Sequence, residues 1–367
     1  MTTVADATDI FSDRLRLAVI GAGLGSGPHF KSLHDLNHEA EVVWVHARDA
    51  ARLAAAQVPH GATKTTRLED ILEDPSVQAV LVLTPPNTHL ALVQRLAQAG
   101  KHLLVEKPLE IDLTRAQSLV QVCEKPGVKL AVMLQHRLRP AAIRLRALLN
   151  AGDLGQLVSA SASVRWWRPQ SYYDEPGRGT LARDGGGVLM TQAIHTLDLL
   201  LSYTGLPTRV MGLASTSPVH SMEGEDCACA LLHYANGAMA TVQATTAAYP
   251  GFPERIELNG TLGSASLEAG VLQAAFMNGQ TLSIGSQQDS GGGADPMAFD
   301  HAAHRTILQD FIGAVRQGRE PAVSGRSALA AQQVIEAIMT SAQSGRPVDL
   351  GQTSAAPARS ACAPGCR

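Results

Sequence analysis

The chain has 367 residues, 45% of them hydrophobic and 17% charged, and a formal net charge of -3. That length suits two domains with separate cores, and the mild acidity lacks the electrostatic footprint of a nucleic-acid binder. The first fourteen residues carry Asp6, Asp9 and Asp13 and no apolar run, and no stretch reaches the roughly 18 apolar residues of a membrane span, so neither a leader nor an anchor is expected. The five cysteines form no disulfide framework, which points to reduced thiols and a cytoplasmic protein.

The first apolar run, Leu15 to Ile20, ends in the glycine cluster Gly21 to Gly27, and a second, Glu41 to His46, follows after a helix-length interval. Ala79 to Leu83 precedes the turn Thr84-Pro85-Pro86-Asn87; an amphipathic stretch to Ala99 then leads to a fourth run, His102 to Val105. A helix at Leu113 to Glu124 and a strand at Lys129 to Leu134 complete the pattern, and strands alternating with helices predict an open, doubly wound parallel sheet. After a helix at Ala141 to Ala151, the alternating runs Leu157 to Val164, Ala228 to His233 and Ala238 to Ala244 read as antiparallel strands of an α+β domain. Helical patterns at His301 to Val315 and Ala328 to Ser341 are expected to pack back on the body of the protein. The expected division is a flexible start (1–14), an α/β Rossmann domain (15–135), a substrate and oligomerisation domain (136–350) and a disordered tail (351–367), with Ser290 to Ala294 as a mobile loop.

Gly21-Ala22-Gly23-Leu24-Gly25-Ser26 follows a strand and opens a helix, where glycines let backbone N–H groups approach a pyrophosphate; Ser26 stands at the third glycine position. After the second strand comes His46-Ala47-Arg48-Asp49. With no acid at Ala47 to accept from the ribose hydroxyls and a cation at Arg48, NADP(H) is favoured over NAD(H), while Asp49 is also read as a helix cap. Glu106-Lys107-Pro108 lies just past the carboxyl end of the fourth strand, where open α/β sheets bind ligands, and a lysine there can donate to, or exchange a proton with, a substrate hydroxyl. Gln135-His136-Arg137 ends the last strand of the first domain, within reach of nicotinamide or substrate.

Gly185-Gly186-Gly187 precedes a helical run, Val188 to Leu201, in which the spacing of Thr191, His195 and Asp198 predicts one shared face. A histidine on an apolar helix is usually a core residue; its polar neighbours Thr191 and Gln192 favour a site instead. The segment Arg165-Trp166-Trp167-Arg168 to Arg178-Gly179-Thr180 mixes aromatics and arginines suited to stacking on sugars and pairing with carboxylate or phosphate, and equally to an exposed sheet edge.

In this order, Gly21-Ala-Gly with His29, Thr84-Pro-Pro-Asn-Thr-His89, Glu106-Lys-Pro, Gly185-Gly-Gly with His195, and Asp310-Phe311, Pro321 and Gly325 resemble the glucose-fructose oxidoreductase, inositol dehydrogenase and rhizopine-catabolism family, Gfo/Idh/MocA. The likeness runs from about Leu15 to Leu350. It implies that Thr84, Pro85, Asn87 and His89 line a nicotinamide cofactor, together with Gly21, Gly23, Leu24, Ala47, Arg48 and Gln135. Glu106 and Lys107 would sit near the nicotinamide ribose, with Lys107-Pro108 cis, and the catalytic pair would be Lys107 and His195. Arg137, Tyr173, Arg178, Thr191 and Gln192 are assigned to substrate, and no metal is expected. Many members place an aspartate four residues before this histidine; here Thr191 takes that place, and the Asp–His pairing is missing.

Arg178-Gly-Thr, Asp184-Gly-Gly-Gly and Met190-Thr-Gln-Ala-Ile-His195 look like the branch of nucleotide-sugar 3-dehydrogenases and sugar 3-ketoreductases. The implied activity is oxidation or reduction of a sugar, sugar acid, nucleotide sugar or cyclitol with NADP or NAD, in a homodimer or homotetramer without nucleic acid or membrane. Two alternatives share the fold: an NAD-dependent glycoside hydrolase and a non-enzymatic NAD(P)-binding regulator.

Overall fold

The computed structural model describes residues 14–23, 25–286, 292–293 and 299–351. Leu24, nearly all of the expected N-terminal segment and tail, and most of the Ser290 to Ala294 loop lie outside the described residues.

β1 (Leu15–Ile20), β2 (Ala40–His46), β3 (Thr63–Thr65), β4 (Ala79–Val82), β5 (His102–Val105) and β6 (Leu130–Val132) form one parallel sheet in the order β3-β2-β1-β4-β5-β6. β4 is buried at every position and β1 at all but one, because a parallel sheet covered on both faces permits apolar runs without alternation. The order reverses between β1 and β4, so the crevice for a ligand opens where their carboxyl ends part.

The second sheet comprises β7 (Leu157–Arg165), β8 (Arg209–Ser215), β9 (Cys227–His233), β10 (Met239–Thr245), β11 (Arg255–Gly260), β12 (Gly263–Glu268), β13 (Val271–Phe276), β14 (Thr281–Ile284) and β15 (Val348–Asp349), in the order β14-β13-β12-β11-β7-β10-β9-β8-β15. Its strands alternate as half-buried strands should: on β9 and β10, Ala228, Ala230, Ala240 and Ala244 point inward while Cys229, Leu231, Met239 and Thr241 point out. Every pair is antiparallel except β7 with β10, whose long intervening chain allows a parallel crossover that the alternation of the sequence does not reveal.

The late helices join the two sheets. Helix Ala302–Gln317 lies against helix Ser26–Asp35 of the first unit, with Phe311 fully buried, and helix Gly325–Ser344 packs on β8 and on helix Leu113–Glu124. The Gln332 side chain adds a hydrogen bond to the Glu110 carbonyl at 2.7 Å. Among the described residues no helix is long and apolar enough to cross a membrane. Removing the Phe311 ring leaves a cavity under that clamp, so Phe311→Ala is expected to cost about 3–5 kcal/mol in urea denaturation. An unchanged midpoint would show that the helix does not hold the structure together.

Candidate active site

The site begins where β1 turns. Gly21 has φ of +112°, and a Cβ there would stand 2.8 Å from the Leu83 carbonyl oxygen at the end of β4, so only glycine fits. A Cβ at Gly23 or Gly25 would meet nothing within 4 Å, leaving open space over the start of helix Ser26–Asp35, whose N-cap is Gly25. Ser26 donates to the Gly23 carbonyl at 2.7 Å, so its hydroxyl closes the turn at the third glycine position. After β2, Ala47 is buried and Arg48 exposed, while Asp49 accepts from the Arg52 amide at 3.0 Å as the cap of the next helix.

Past β4, Thr84 and Pro85 are half-buried, and Asn87 is exposed with its amide donating to the Ala182 carbonyl at 3.1 Å. His89 corrects an expectation. It is fully buried, its ring nitrogens 2.8 Å from the Thr84 carbonyl and 3.0 Å from that of Leu109, so it braces the loop from behind instead of facing a cofactor. Burial pushes its imidazole pKa down against those two carbonyls.

Past β5, Glu106 Oε1 lies 2.7 Å from His29 Nε2, and its Oε2 accepts from the Lys107 amide at 3.0 Å. Burial pushes the Glu106 carboxyl up, but the His29 hydrogen bond and the charges of its neighbours, Lys107 included, outweigh it and hold the pKa at about 2. The Lys107–Pro108 peptide is cis, and Lys107 Nζ donates to the Thr191 carbonyl at 2.5 Å. Burial lowers the pKa of this amine, opposed by Glu106, Tyr172 and Asp184.

His195 opens helix Ile194–Thr204, directly after a wider π-helical turn, Leu189–Ala193. The predicted regular spacing of Thr191, His195 and Asp198 is therefore interrupted. His195 stacks on His136 with ring centroids 4.9 Å apart, and the Nδ1 atoms of both rings are buried without a partner. Burial and the Lys107 charge drive the His195 pKa well below its ordinary value, leaving a neutral imidazole able to accept a proton. Thr191, in the place where many family members carry an aspartate, shares its hydroxyl between the Gly187 carbonyl, at 2.6 Å, and the Gln192 side-chain oxygen. Gln192 reaches the Tyr172 hydroxyl at 3.4 Å. Arg178 lies over the Tyr172 ring at 4.2 Å and pairs with Glu175.

Two substrate assignments are overturned. Arg137 turns into the interior, forked onto the fully buried Asp198 carboxylate and bonded to Ser327, because a buried anion requires a paired cation. Tyr173 is buried with its hydroxyl 2.7 Å from Thr246, whereas Tyr172, one residue earlier on the short helix Gln170–Tyr173, is half-buried with its hydroxyl toward Gln192. The sequence reading names only Tyr173; Tyr172 is missed, because only packing distinguishes two adjacent tyrosines. His304, from helix Ala302–Gln317, also approaches Glu106 and His29; it carries no local motif, and burial together with the His29 charge lowers its pKa to about 4.

The described residues fit a nicotinamide dinucleotide. The Gly21 turn excludes any side chain, the open helix start beyond it suits a pyrophosphate, and at the far end Gln135 keeps a buried, unpartnered Oε1 beyond β6. Residues 15–134 match the family model of the oxidoreductase NAD-binding Rossmann fold, and residues 142–266 match the GFO/IDH/MocA C-terminal domain. The chain belongs to the Gfo/Idh/MocA oxidoreductase family. It is 30% identical over 357 residues to a D-apiose dehydrogenase of Paraburkholderia graminis, covering 95% of this chain and 93% of the relative. An inositol 2-dehydrogenase of Rhizobium meliloti is 25% identical over 348 residues, covering 92% and 99%. The crystal structure of the WlbA dehydrogenase from Bordetella pertussis, in complex with NADH and UDP-GlcNAcA, superposes with a TM-score of 0.79 at 27% identity, covering 92% of this chain and 99% of that one. As a member of this family the protein is an NAD(P)-dependent oxidoreductase.

The Glu106 carboxyl titrates lower in the folded protein than its ordinary value of 4.5, so its stabilisation is complete above that pH and vanishes as pH falls toward 2. Glu106→Gln is expected to cost a few kcal/mol at neutral pH, with the gap to the parent closing in acid. Denaturation curves at several pH values check this, and a pH-independent gap would mean that the His29 contact does not set the ionisation.

Proposed function

We propose that the protein oxidises or reduces a secondary alcohol or ketone on a sugar, sugar acid, nucleotide sugar or cyclitol. The observation that carries this reading is the Lys107 to Thr191 hydrogen bond, which brings a lysine at the end of β5 onto the turn immediately before His195. A nicotinamide dinucleotide, held by Gly21, Gly23, Thr84, Pro85, Asn87, Glu106 and Gln135, supplies the hydride acceptor or donor when bound. In the oxidative direction the neutral His195 imidazole takes the hydroxyl proton, and Lys107 donates to the same oxygen and steadies its developing charge. In the reductive direction the two return that proton. Gln192, Tyr172 and Arg178 supply hydroxyl-directed donors and an aromatic face on one side of this pair, chemistry suited to a polyhydroxylated ring.

Lys107→Met is expected to keep cofactor binding, read by nicotinamide fluorescence, and to lower turnover on a sugar and cyclitol panel by about 100- to 10,000-fold. Because the His195 pKa is depressed, the acid limb of kcat/KM lies below pH 6.5, and a limb at or above that value would remove His195 as the base. Arg48, exposed beside Ala47, favours NADP(H); Arg48→Ala should weaken NADPH about tenfold while leaving NADH nearly unchanged. Equal loss for both cofactors would refute that preference.

The outer face of the second sheet presents Met211, Leu213, Leu231 and Met239, with Leu213 70% exposed, an apolar surface that favours a homodimer or homotetramer. In light scattering, Leu213→Lys with Leu231→Lys should lower the molar mass to that of the monomer; a parent protein already monomeric would rule the interface out.

A further inference from the structure

The amides that close and follow the triple glycine before the His195 helix, and Glu225 before β9, take no part in the site as described above. Helix starts leave their first N–H groups without intrahelical partners. Here three successive amides donate to Glu225 alone: Gly187 N to Oε2 at 2.9 Å, Leu189 N to Oε1 at 2.9 Å, and Val188 N to its main-chain carbonyl at 2.7 Å. The approach is so close that a Cβ on Gly187 would lie 1.7 Å from the Glu225 carbonyl oxygen, and one on Gly224 would lie 2.7 Å from the Gly187 nitrogen. Glu225 is 5% exposed, and no cation is paired with its carboxylate among the described residues, so backbone amides alone hold it.

The same turn carries the functional contact. Gly187 accepts from the Thr191 hydroxyl at 2.6 Å and from the Thr191 amide at 3.0 Å, and the Thr191 carbonyl receives Lys107 Nζ. π-Helical turns widen the backbone and concentrate at functional sites. We infer that Glu225 is a positioning residue: by clamping the amides of Gly187 and Leu189 it sets the π turn Leu189–Ala193, and through that turn it sets where Lys107 and His195 stand. The missing aspartate is thereby replaced in part, since Thr191 organises the turn through its hydroxyl and holds the lysine through its carbonyl. The inference rests on the proposed roles of Lys107 and His195, but its geometry can be tested without a substrate.

The experiment is Glu225→Gln in the full chain, which keeps size and loses one of the two acceptors. In the apoprotein, the reactivity of each lysine toward acetic anhydride is followed by mass spectrometry, alongside hydrogen exchange of the peptide spanning Gly185 to His195. Lys107 labelling is expected to change about fivefold relative to the other lysines, and exchange of that peptide to quicken about tenfold. Where the parent turns over a substrate, kcat should fall about 10- to 100-fold with cofactor affinity unchanged, and Glu225→Asp, too short to span both amides, should not restore it. A folded Glu225→Gln with parental Lys107 labelling overturns the inference, even with faster exchange or a lowered Tm, because a merely structural carboxylate would loosen the amides it caps and leave the lysine unmoved. If Glu225→Gln does not fold, the same two measurements on Glu225→Asp decide in the same way. A parent that binds cofactor yet turns over none of the panel counts against the proposed function, and the labelling result still judges the clamp.

Discussion

One hydrogen bond links the chemistry of the two halves of the molecule: Lys107 Nζ on the Thr191 carbonyl. The lysine comes from the end of a parallel strand and the carbonyl from the turn before His195, so each half alone offers only part of the constellation. A half-buried ammonium needs strong acceptors to remain in place. A main-chain carbonyl provides one without adding a competing negative charge, and burial can then depress the amine toward proton exchange.

Around that contact, buried charge is handled pairwise, except at Glu225, whose carboxylate is held by backbone amides. Glu106 is held by His29, Asp198 by Arg137, and Glu110 by Arg115 together with two backbone amides. Each pair fixes a segment bordering the site: the end of β5, the 3-10 turn after β6, and the chain beyond the cis proline. Removing one partner from such a pair strands a charge in low dielectric, so these contacts set positions more than they raise net stability. His136 and His195 stand apart from this pattern. They stack with unpartnered nitrogens, and burial, reinforced by nearby positive charges, keeps both neutral.

The resemblance between the strand order 3-2-1-4-5-6 and the alternating apolar runs of the first 135 residues has a simple physical basis. Five of the sheet's six strands are read from their own apolar runs, whereas β3, a three-residue edge strand with two exposed positions, carries no apolar run to read. Helix Leu113–Glu124 coincides with its sequence boundaries, since its Asp112 cap lies next to it in the chain. In the second sheet β7, β9 and β10 were legible as alternating strands, but the other six strands and the parallel pairing of β7 with β10 were not, because register between distant strands is a property of the whole sheet.

The sequence by itself determined the nucleotide-binding half and the order of motifs, because glycine geometry, strand ends and helix caps are dictated within a few residues; the proposed pairing of Lys107 with His195 came from the family resemblance. Only the tertiary structure decided that Arg137 serves Asp198, that His89 braces a loop, that Tyr172 and not Tyr173 faces the site, and that Glu225 caps the His195 segment. Those outcomes join residues far apart in the chain. Which of two adjacent side chains is buried, and which carboxylate finds which amide, depends on packing and desolvation after the two sheets and the late helices have come together.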